Sequence, residues 1–176
     1  MQRPEPTGRE RQFAENQIIV SKTDLKGRIT YVNDIFCQVG LYEEEEVLGQ
    51  PHSIVRHPEM PRAVFHLLWQ RIRDGEEIFA YVKNLAKNGD HYWVLAHVTP
   101  SRDLQGNVDG FHSNRRVPGR AALSVIEPLY RSICDEEDRH ADRKQGMQAG
   151  IAMIESALQA RGLDYDRFVL GLAAQA

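Results

Sequence analysis

The sequence predicts an α+β domain followed by a helical extension, because strand and helix patterns occur in a characteristic order. Runs of β-forming residues lie within residues 18–32 and again within residues 78–117, with helical patterns between them. Strands grouped in this way, instead of alternating with helices, are typical of an antiparallel sheet with its helices on one face. After Pro118 and Gly119 only helical patterns remain. We therefore expect a five-stranded antiparallel sheet with short helices on one face, plus C-terminal helices.

Length and composition limit the kind of protein. The chain has 176 residues, of which 41% are hydrophobic, and a formal net charge of −3. This length fits one domain with an additional segment. The net negative charge does not indicate a basic surface for binding nucleic acid. No apolar run reaches the length of a membrane span, and the N-terminus lacks the apolar region of a signal peptide. We expect a cytoplasmic protein with no membrane span and no nucleic-acid partner.

The chain divides into three regions. Residues 1–16 are polar and contain Pro4, Pro6 and Gly8, which predicts a flexible N-terminal arm. Residues 17–117 contain the strand patterns and form the predicted domain. Residues 118–176 form the predicted C-terminal helical extension.

The domain begins with a predicted hairpin. Residues 18–20 and 28–32 are rich in β-formers and flank a turn at residues 24–27. Asn33 is suited to cap a short helix that ends at Gly40. Residues 43–47 predict a second short helix.

A loop rich in ionisable groups precedes a long amphipathic helix. Residues 55–61 contain Arg56, His57 and Glu59, and apolar residues then recur at helical spacing through Trp69 to Ile72. Helix N-termini favour anions, so this is a suitable place to hold a phosphorylated cofactor. Taken alone, the loop is more simply interpreted as solvated, with an acidic residue capping the helix.

Three further strands are predicted: residues 78–85, 92–99 ended by Pro100, and 108–117. In the first, Asn84 shares a face with apolar residues and so ends an apolar inner face. In the last, Arg115 shares a face with Phe111. A buried arginine is costly unless it is paired. The residues leave two alternatives open for Arg115: it points inward and pairs with a ligand or a carboxylate, or it reaches solvent.

This order of elements and the sequence motifs within it resemble those of the PAS family over residues 17–116. The more specific motifs resemble the aerotaxis-receptor branch of that family. These motifs are Gly49-Gln50-Pro51-His52, Val55-Arg56-His57-Pro58-Glu59-Met60-Pro61, Val82-Lys83-Asn84 and Lys87-Asn88-Gly89-Asp90-His91-Tyr92-Trp93. The resemblance implies a PAS fold whose domain binds FAD non-covalently and reports redox state. The cofactor-binding residues that we infer are Asn33, His52, Arg56, His57, Glu59, Trp69, Asn84, Tyr92 and Arg115.

Several of these residues have a second interpretation. The resemblance assigns Asn84 to the isoalloxazine, whereas the alternative is an edge-strand turn residue. It assigns Arg56 to the pyrophosphate, which suits the planar guanidinium, and the alternative is a surface salt bridge. Trp69 is a cofactor contact or a core residue, and Asn33 lies near the flavin or caps a helix. Glu59 stands where the branch more usually has aspartate, which loosens its geometry.

Other cofactor chemistries fit the sequence less well. His52 stands at the position of the cysteine of blue-light PAS domains, so we expect no cysteinyl photoadduct. His66 lies on the long helix, where some haem PAS domains carry their axial ligand, but it is off the apolar stripe and is expected to face solvent. The histidines and the two cysteines show no metal-binding spacing. No arrangement of catalytic residues is evident, so we expect a protein that is not an enzyme.

The expected function is therefore FAD-binding PAS signalling that senses redox state or oxygen and relays it to the C-terminal helices or to a partner. We expect a homodimer, with a signalling or chemotaxis protein as a further partner. The alternatives are a cofactor-free interaction module, a haem-binding sensor and a flavin enzyme. The residues alone leave FAD and FMN both open.

The C-terminal extension predicts three helices. The first is interrupted by Pro128, which forces a kink or restart, and residues 135–138 form an acidic connector. The helices are expected to cover the sheet of the domain and to serve dimerisation or output. A full aerotaxis receptor also needs a membrane span and a long coiled coil. Residues 170–176 resemble a natural terminus, so we expect a stand-alone protein.

Overall fold

The computed structural model of the protein describes residues 3–174. The first two residues of the predicted arm and the last two of the predicted terminus lie outside the described residues. The remainder of the chain contains five strands and six α-helices within residues 3–174.

The strands form one antiparallel sheet, as expected. They are β1 (Ile19–Asp24), β2 (Ile29–Val32), β3 (Ile78–Leu85), β4 (His91–Arg102) and β5 (Val108–Arg116). Their order in the sheet is β2-β1-β5-β4-β3. The two terminal strands of the domain, β1 and β5, are therefore neighbours at its centre, with Ile19 paired with Arg115 and Ser21 with Ser113.

The helices of the domain lie between β2 and β3 in the chain. They are α1 (Asp34–Gly40), α2 (Glu44–Val47), a 3-10 helix (His52–Val55) and α3 (Arg62–Arg73). The predicted stripe of α3 is buried at Val64, Leu68 and Ile72. Gly40 is the last residue of α1, and Leu41 follows it in a left-handed conformation with φ 58°. A Cβ at Gly40 would lie 3.2 Å from the Tyr42 ring, so this glycine allows close packing.

Pro100 does not end the fourth strand, contrary to expectation, because β4 continues to Arg102. Pro100 pairs with Phe111 of β5, whereas β3 begins opposite Val98. Beyond Val98, β4 therefore has β5 as its neighbour and no β3 residue on the other side. An edge position tolerates the missing N–H of proline, which explains the longer strand.

The C-terminal extension differs from expectation at Pro128 and at the acidic run. Helix α4 (Arg120–Asp138) contains Pro128 and continues through it without a restart. The acidic run at residues 135–138 is the last turn of α4 and not a connector. Glu137 within it is buried, and its carboxylate accepts the N–H groups of Arg62 and Ala63 at the start of α3, at 2.9 and 2.7 Å. This tertiary contact explains why the run stays helical.

The extension covers part of the sheet, as expected. The Tyr130 hydroxyl of α4 donates to the Tyr81 carbonyl of β3 at 2.9 Å, and the Tyr130 ring lies 6.2 Å from that of Trp93. Helix α6 (Tyr165–Ala173) also contacts β3, since the Tyr81 hydroxyl donates to the Val169 carbonyl at 3.5 Å. Helix α5 (Arg143–Gln159) packs against α3, where a Cβ at Gly150 would lie 3.1 Å from that of Ala63. No helix within residues 3–174 is long and apolar enough to cross a membrane.

Part of the N-terminal segment, which composition predicts to be a flexible arm, lies beside the β3–β4 turn and the start of β4. The Arg11 N–H donates to the His91 carbonyl at 2.7 Å, and the Arg9 carbonyl accepts the His91 N–H at 2.9 Å. The Arg9 guanidinium also pairs with Asp90 at 3.2 Å. Backbone hydrogen bonds to the start of β4 therefore hold this part of the segment, which composition alone did not indicate.

Candidate functional site

A cavity of about 360 Å³ lies between the inner face of the sheet and helix α3. Its apolar wall comes from both layers and consists of Val82, Ala96, Val98, Phe111, Phe65, Leu68, Trp69 and Ile72. Successive side chains of a strand point to opposite faces of the sheet, so every second side chain of β3, β4 and β5 points toward α3. The small side chain of Ala96 leaves space at the centre of this face, and the result is an apolar slot.

Arg115 lines the slot and is 5% exposed, so its side chain points inward and does not reach solvent, whereas the expected pairing with a ligand or a carboxylate stays a prediction. Its Nη2 donates to the Ser21 hydroxyl at 2.7 Å and lies 2.7 Å from His52 Nε2. Its Nη1 is buried and has no hydrogen-bond partner among residues 3–174. Burial lowers the Arg115 pKa to about 10, so the guanidinium remains charged at neutral pH.

His52 also lines the cavity and faces Arg115. Because a guanidinium can only donate, His52 Nε2 accepts this bond and the ring proton is on Nδ1. Burial, and then the charge of Arg115, lower the His52 pKa to about 3, so the imidazole is neutral at physiological pH. His52 therefore orients Arg115 without neutralising its charge.

Asn84 lines the cavity near the end of β3 and is 3% exposed. Its backbone forms an isolated bridge with Arg56, which joins the loop before α3 to the strand. The Arg56 guanidinium is half-buried at the edge of the cavity, stacks 4.0 Å above the Phe65 ring and donates to the Met60 carbonyl at 3.3 Å. Burial, together with the charge of Arg3, lowers the Arg56 pKa. The bridge thus brings an amide and a guanidinium to the same cavity.

Trp69 lines the mouth of the cavity. Its indole packs edge-on against Phe111, with ring centroids 5.6 Å apart, and lies directly over Gly27 in the β1–β2 turn. A Cβ at Gly27, which has φ +75°, would be 2.8 Å from the indole. Trp69 is therefore both a packing residue and a wall of the cavity.

The other four inferred residues do not line this cavity. Asn33 caps α1: its amide oxygen accepts the Phe36 N–H at 3.1 Å. His57 is buried outside the slot, and its Nδ1 accepts the Glu59 N–H at 3.2 Å. Glu59 is exposed and pairs with Lys83 at 2.5 Å. Tyr92 is buried within the core.

The start of α3 is not available to a phosphate, which corrects the interpretation of residues 55–61 as a helix N-terminal phosphate site. The buried carboxylate of Glu137 accepts the first N–H groups of the helix and pairs with Arg62 Nε at 3.1 Å. An internal anion thus occupies the position that favours negative charge.

Sequence reasoning missed Ser21, which is 1% exposed and bonded to Arg115. The signal was present in β1, where Ser21 shares the inner face with Ile19. A small polar residue at a buried strand position indicates a polar partner. His66, by contrast, is exposed and does not line the cavity, which agrees with the expected solvent-facing histidine.

A protein-family comparison identifies the PAS fold over residues 10–113. The chain belongs to the PAS family. This confirms the expected family and fold, and the matched range contains most of the cavity-lining residues of the sheet and α3.

Known relatives of this PAS protein include the aerotaxis receptor of Escherichia coli (strain K12), which is 41% identical over 121 residues, or 69% of this chain. Phototropin-1A of Oryza sativa subsp. japonica is 32% identical over 47% of this chain. The nitrogen fixation regulatory protein of Klebsiella pneumoniae is 26% identical over 56%. The chain spans 24%, 9% and 20% of these relatives, respectively.

Solved structures show the same fold. The dark structure of the LOV domain of the blue-light photoreceptor Aureochrome1 matches with a TM-score of 0.55 and 22% identity, over 62% of this chain and 82% of that one. A Light-Oxygen-Voltage domain studied with a flavin analogue matches with a TM-score of 0.55 and 19% identity, over 70% and 87%. The protein thus contains a PAS domain and is related in sequence to the aerotaxis receptor.

Proposed function

We propose that the PAS domain binds FAD in the slot between the sheet and α3 and reports the redox state of this cofactor. The observation that carries the proposal is the buried, charged Arg115, whose Nη1 points to no protein acceptor among residues 3–174. An unpaired buried charge is costly. A ligand acceptor at the end of the slot removes that cost.

The residues fit a flavin by shape and by chemistry. A slot of about 360 Å³ is within the usual range of small-molecule sites, which is about 300–1,000 Å³. Its walls are apolar and aromatic, as the flat ring of a flavin requires. Asn84 and Arg115 supply donors for the carbonyl and ring-nitrogen edge, and Arg56 is positioned for the phosphate tail. When bound, the flavin would supply the electron-transfer chemistry.

The signalling step that we propose begins with Asn84 and Arg115. A change of charge or protonation at the ligand edge alters which bonds these two side chains make. Asn84 lies on β3, whose Tyr81 carbonyl accepts the hydroxyl of Tyr130 in α4. A shift of β3 is thereby passed to the C-terminal helices, and from them to a second copy of the chain or to a signalling partner.

Binding is tested with the purified protein and its Asn84→Ala variant. We expect a flavin absorption spectrum, FAD in the denatured supernatant, and lower occupancy in the variant, because a donor to the ring edge is lost. Asn114→Ala is the control, since Asn114 lies on β5 and does not line the cavity. If no flavin is bound as purified and none binds on titration, the proposal is wrong.

The signalling step is tested by anaerobic reduction, followed by hydrogen exchange of α4 and by size-exclusion chromatography. We expect altered exchange near Tyr130 or a changed oligomeric state. The flavin-depleted Asn84→Ala protein, treated with the same reductant, is the control. Unchanged helices and an unchanged oligomeric state in the flavin-loaded protein would remove this step while leaving flavin binding intact.

A further inference from the structure

A second cavity, of about 680 Å³, lies between the loop before α3 and the C-terminal half of α4. We call it the crevice. Ser53 and Arg56 line both the crevice and the slot, so the two spaces share a wall. The slot and the crevice therefore adjoin at these two residues, and a ligand tail directed past Arg56 would point toward the crevice.

The crevice contains cations without acidic partners. Arg62 and Lys83 form ion pairs with Glu137 and Glu59. Within residues 3–174, the four other cationic side chains of the crevice form no ion pair, and they are Arg3, Arg56, Arg131 and Arg143. The Arg3 guanidinium donates to the Ser53 carbonyl at 3.2 Å. Guanidinium groups bind phosphate oxygens well, so this set suits a pyrophosphate.

The other lining residues suit a nucleoside. Trp93 and Tyr130 are almost fully buried, but both line the crevice, where their exposed ring edges provide apolar aromatic surface for a base. Glu127 and Asp135 are exposed, form no ion pair within residues 3–174 and can accept hydrogen bonds from ribose hydroxyls. Cations, aromatic surface and acceptors in one crevice match the three parts of a nucleotide.

We infer that the crevice binds the adenosine diphosphate half of FAD, with Arg131 and Arg143 of the helical extension as contact residues. This inference rests on the proposed flavin site. It makes the extension part of the cofactor site, so that a dinucleotide connects the PAS core to α4 and α5. FMN and riboflavin lack the adenosine half and cannot make this connection. The protein therefore selects FAD over FMN.

The slot has exposed lining residues at two places, Ser53 next to the crevice and Lys26 with Arg73 beside Trp69, and we infer an opening at each. The Arg73 guanidinium lies 5.2 Å from the Trp69 ring. A tail that left by the opening beside Trp69 would not reach α4. The two openings thus provide matched pairs of cationic residues for a direct test.

The test measures the Kd of FAD, FMN and riboflavin for the native chain and two double variants, Arg131→Gln/Arg143→Gln and Lys26→Gln/Arg73→Gln. We expect native preference for FAD over FMN. The first variant should weaken FAD binding about tenfold, because charged hydrogen bonds are lost, and leave FMN binding unchanged. The second should keep the preference. Hydrogen exchange should slow in α4 with FAD and not with FMN.

Three results would overturn the inference. They are equal native affinity for FAD and FMN, an unchanged FAD Kd in the Arg131/Arg143 variant, and loss of the preference in the Lys26/Arg73 variant, which would place the tail at the other opening. Each leaves the slot as a flavin site. Failure of all three flavins to bind would instead overturn the proposed function together with the inference.

Discussion

Two buried charged side chains in this protein, Glu137 and Arg115, have very different hydrogen-bond and ion-pair partners. The Glu137 carboxylate accepts two backbone N–H groups and pairs with Arg62, at 2.9, 2.7 and 3.1 Å. Arg115 contacts a serine hydroxyl and a neutral imidazole, and its Nη1 remains without a partner among residues 3–174. Each Glu137 oxygen accepts a backbone N–H and the carboxylate has a counter-ion, whereas Arg115 has no counter-ion within residues 3–174.

The difference separates a structural charge from a charge arranged for a ligand. Removing one partner from a complete buried network leaves the others unpaired and lowers stability. Removing a buried cation that lacks a counter-ion relieves a desolvation cost. The same kind of substitution should therefore have opposite effects on folding at the two positions.

The largest expected effect is at Glu137. Glu137→Ala should lower the free energy of unfolding by ~3–5 kcal/mol, because Arg62 and the N-terminus of α3 lose their buried anion. Urea denaturation of the flavin-free protein measures this. Glu136→Ala, in the same turn of α4 but paired with the exposed Arg139, should have a much smaller effect. A loss below about 1 kcal/mol at Glu137 would contradict the comparison.

The second effect is on ligand binding at Arg115. Arg115→Met should weaken flavin binding by ~1.5–3 kcal/mol, or about 10- to 150-fold, because a charged hydrogen bond is lost. The stability of the flavin-free protein should stay the same or rise. Titration with FAD and urea denaturation test the two parts separately. A flavin-free variant less stable than the native protein by about 2 kcal/mol would mean that Arg115 is structural.

The smallest effect concerns pH and His52. The folded-state pKa of His52 is lowered to about 3 by burial and by Arg115, whereas the ordinary value is about 6.5. Between these values the unfolded chain binds a proton that the folded chain does not, so stability falls as pH decreases. The slope is at most about 1.4 kcal/mol per pH unit. Unfolding of the flavin-free protein at pH 7, 6 and 5 should show a smaller slope in His52→Asn.

The control for this pH effect is His66→Asn, since His66 is exposed on α3 outside the cavity. It should leave the slope as in the native protein. Equal slopes for the native chain and His52→Asn would show that Arg115 and His52 do not form the cationic end of the slot as described.

The sheet and the inward side chains were predictable because strand alternation is local. The inward position of Asn84 follows from its neighbours on the same strand, whereas for Arg115 alternation left the inward and solvent-facing alternatives both open; both residues line the cavity. Glu137 was not predictable, since an acidic run usually faces solvent and its contact lies far away at Arg62 and Ala63. His57 and Glu59 point away from the slot because the Arg56–Asn84 bridge fixes the orientation of that loop. No local pattern encodes such a bridge.

The mouth of the slot depends on Gly27, which has no side chain. The Trp69 indole occupies the space that a methyl group at this position would need, only 2.8 Å away. Any larger residue there would displace the indole and change the shape of the slot beside Lys26 and Arg73. The shape of the cavity that holds the buried arginine and asparagine thus depends on a surface turn outside the helix and strands that carry its wall.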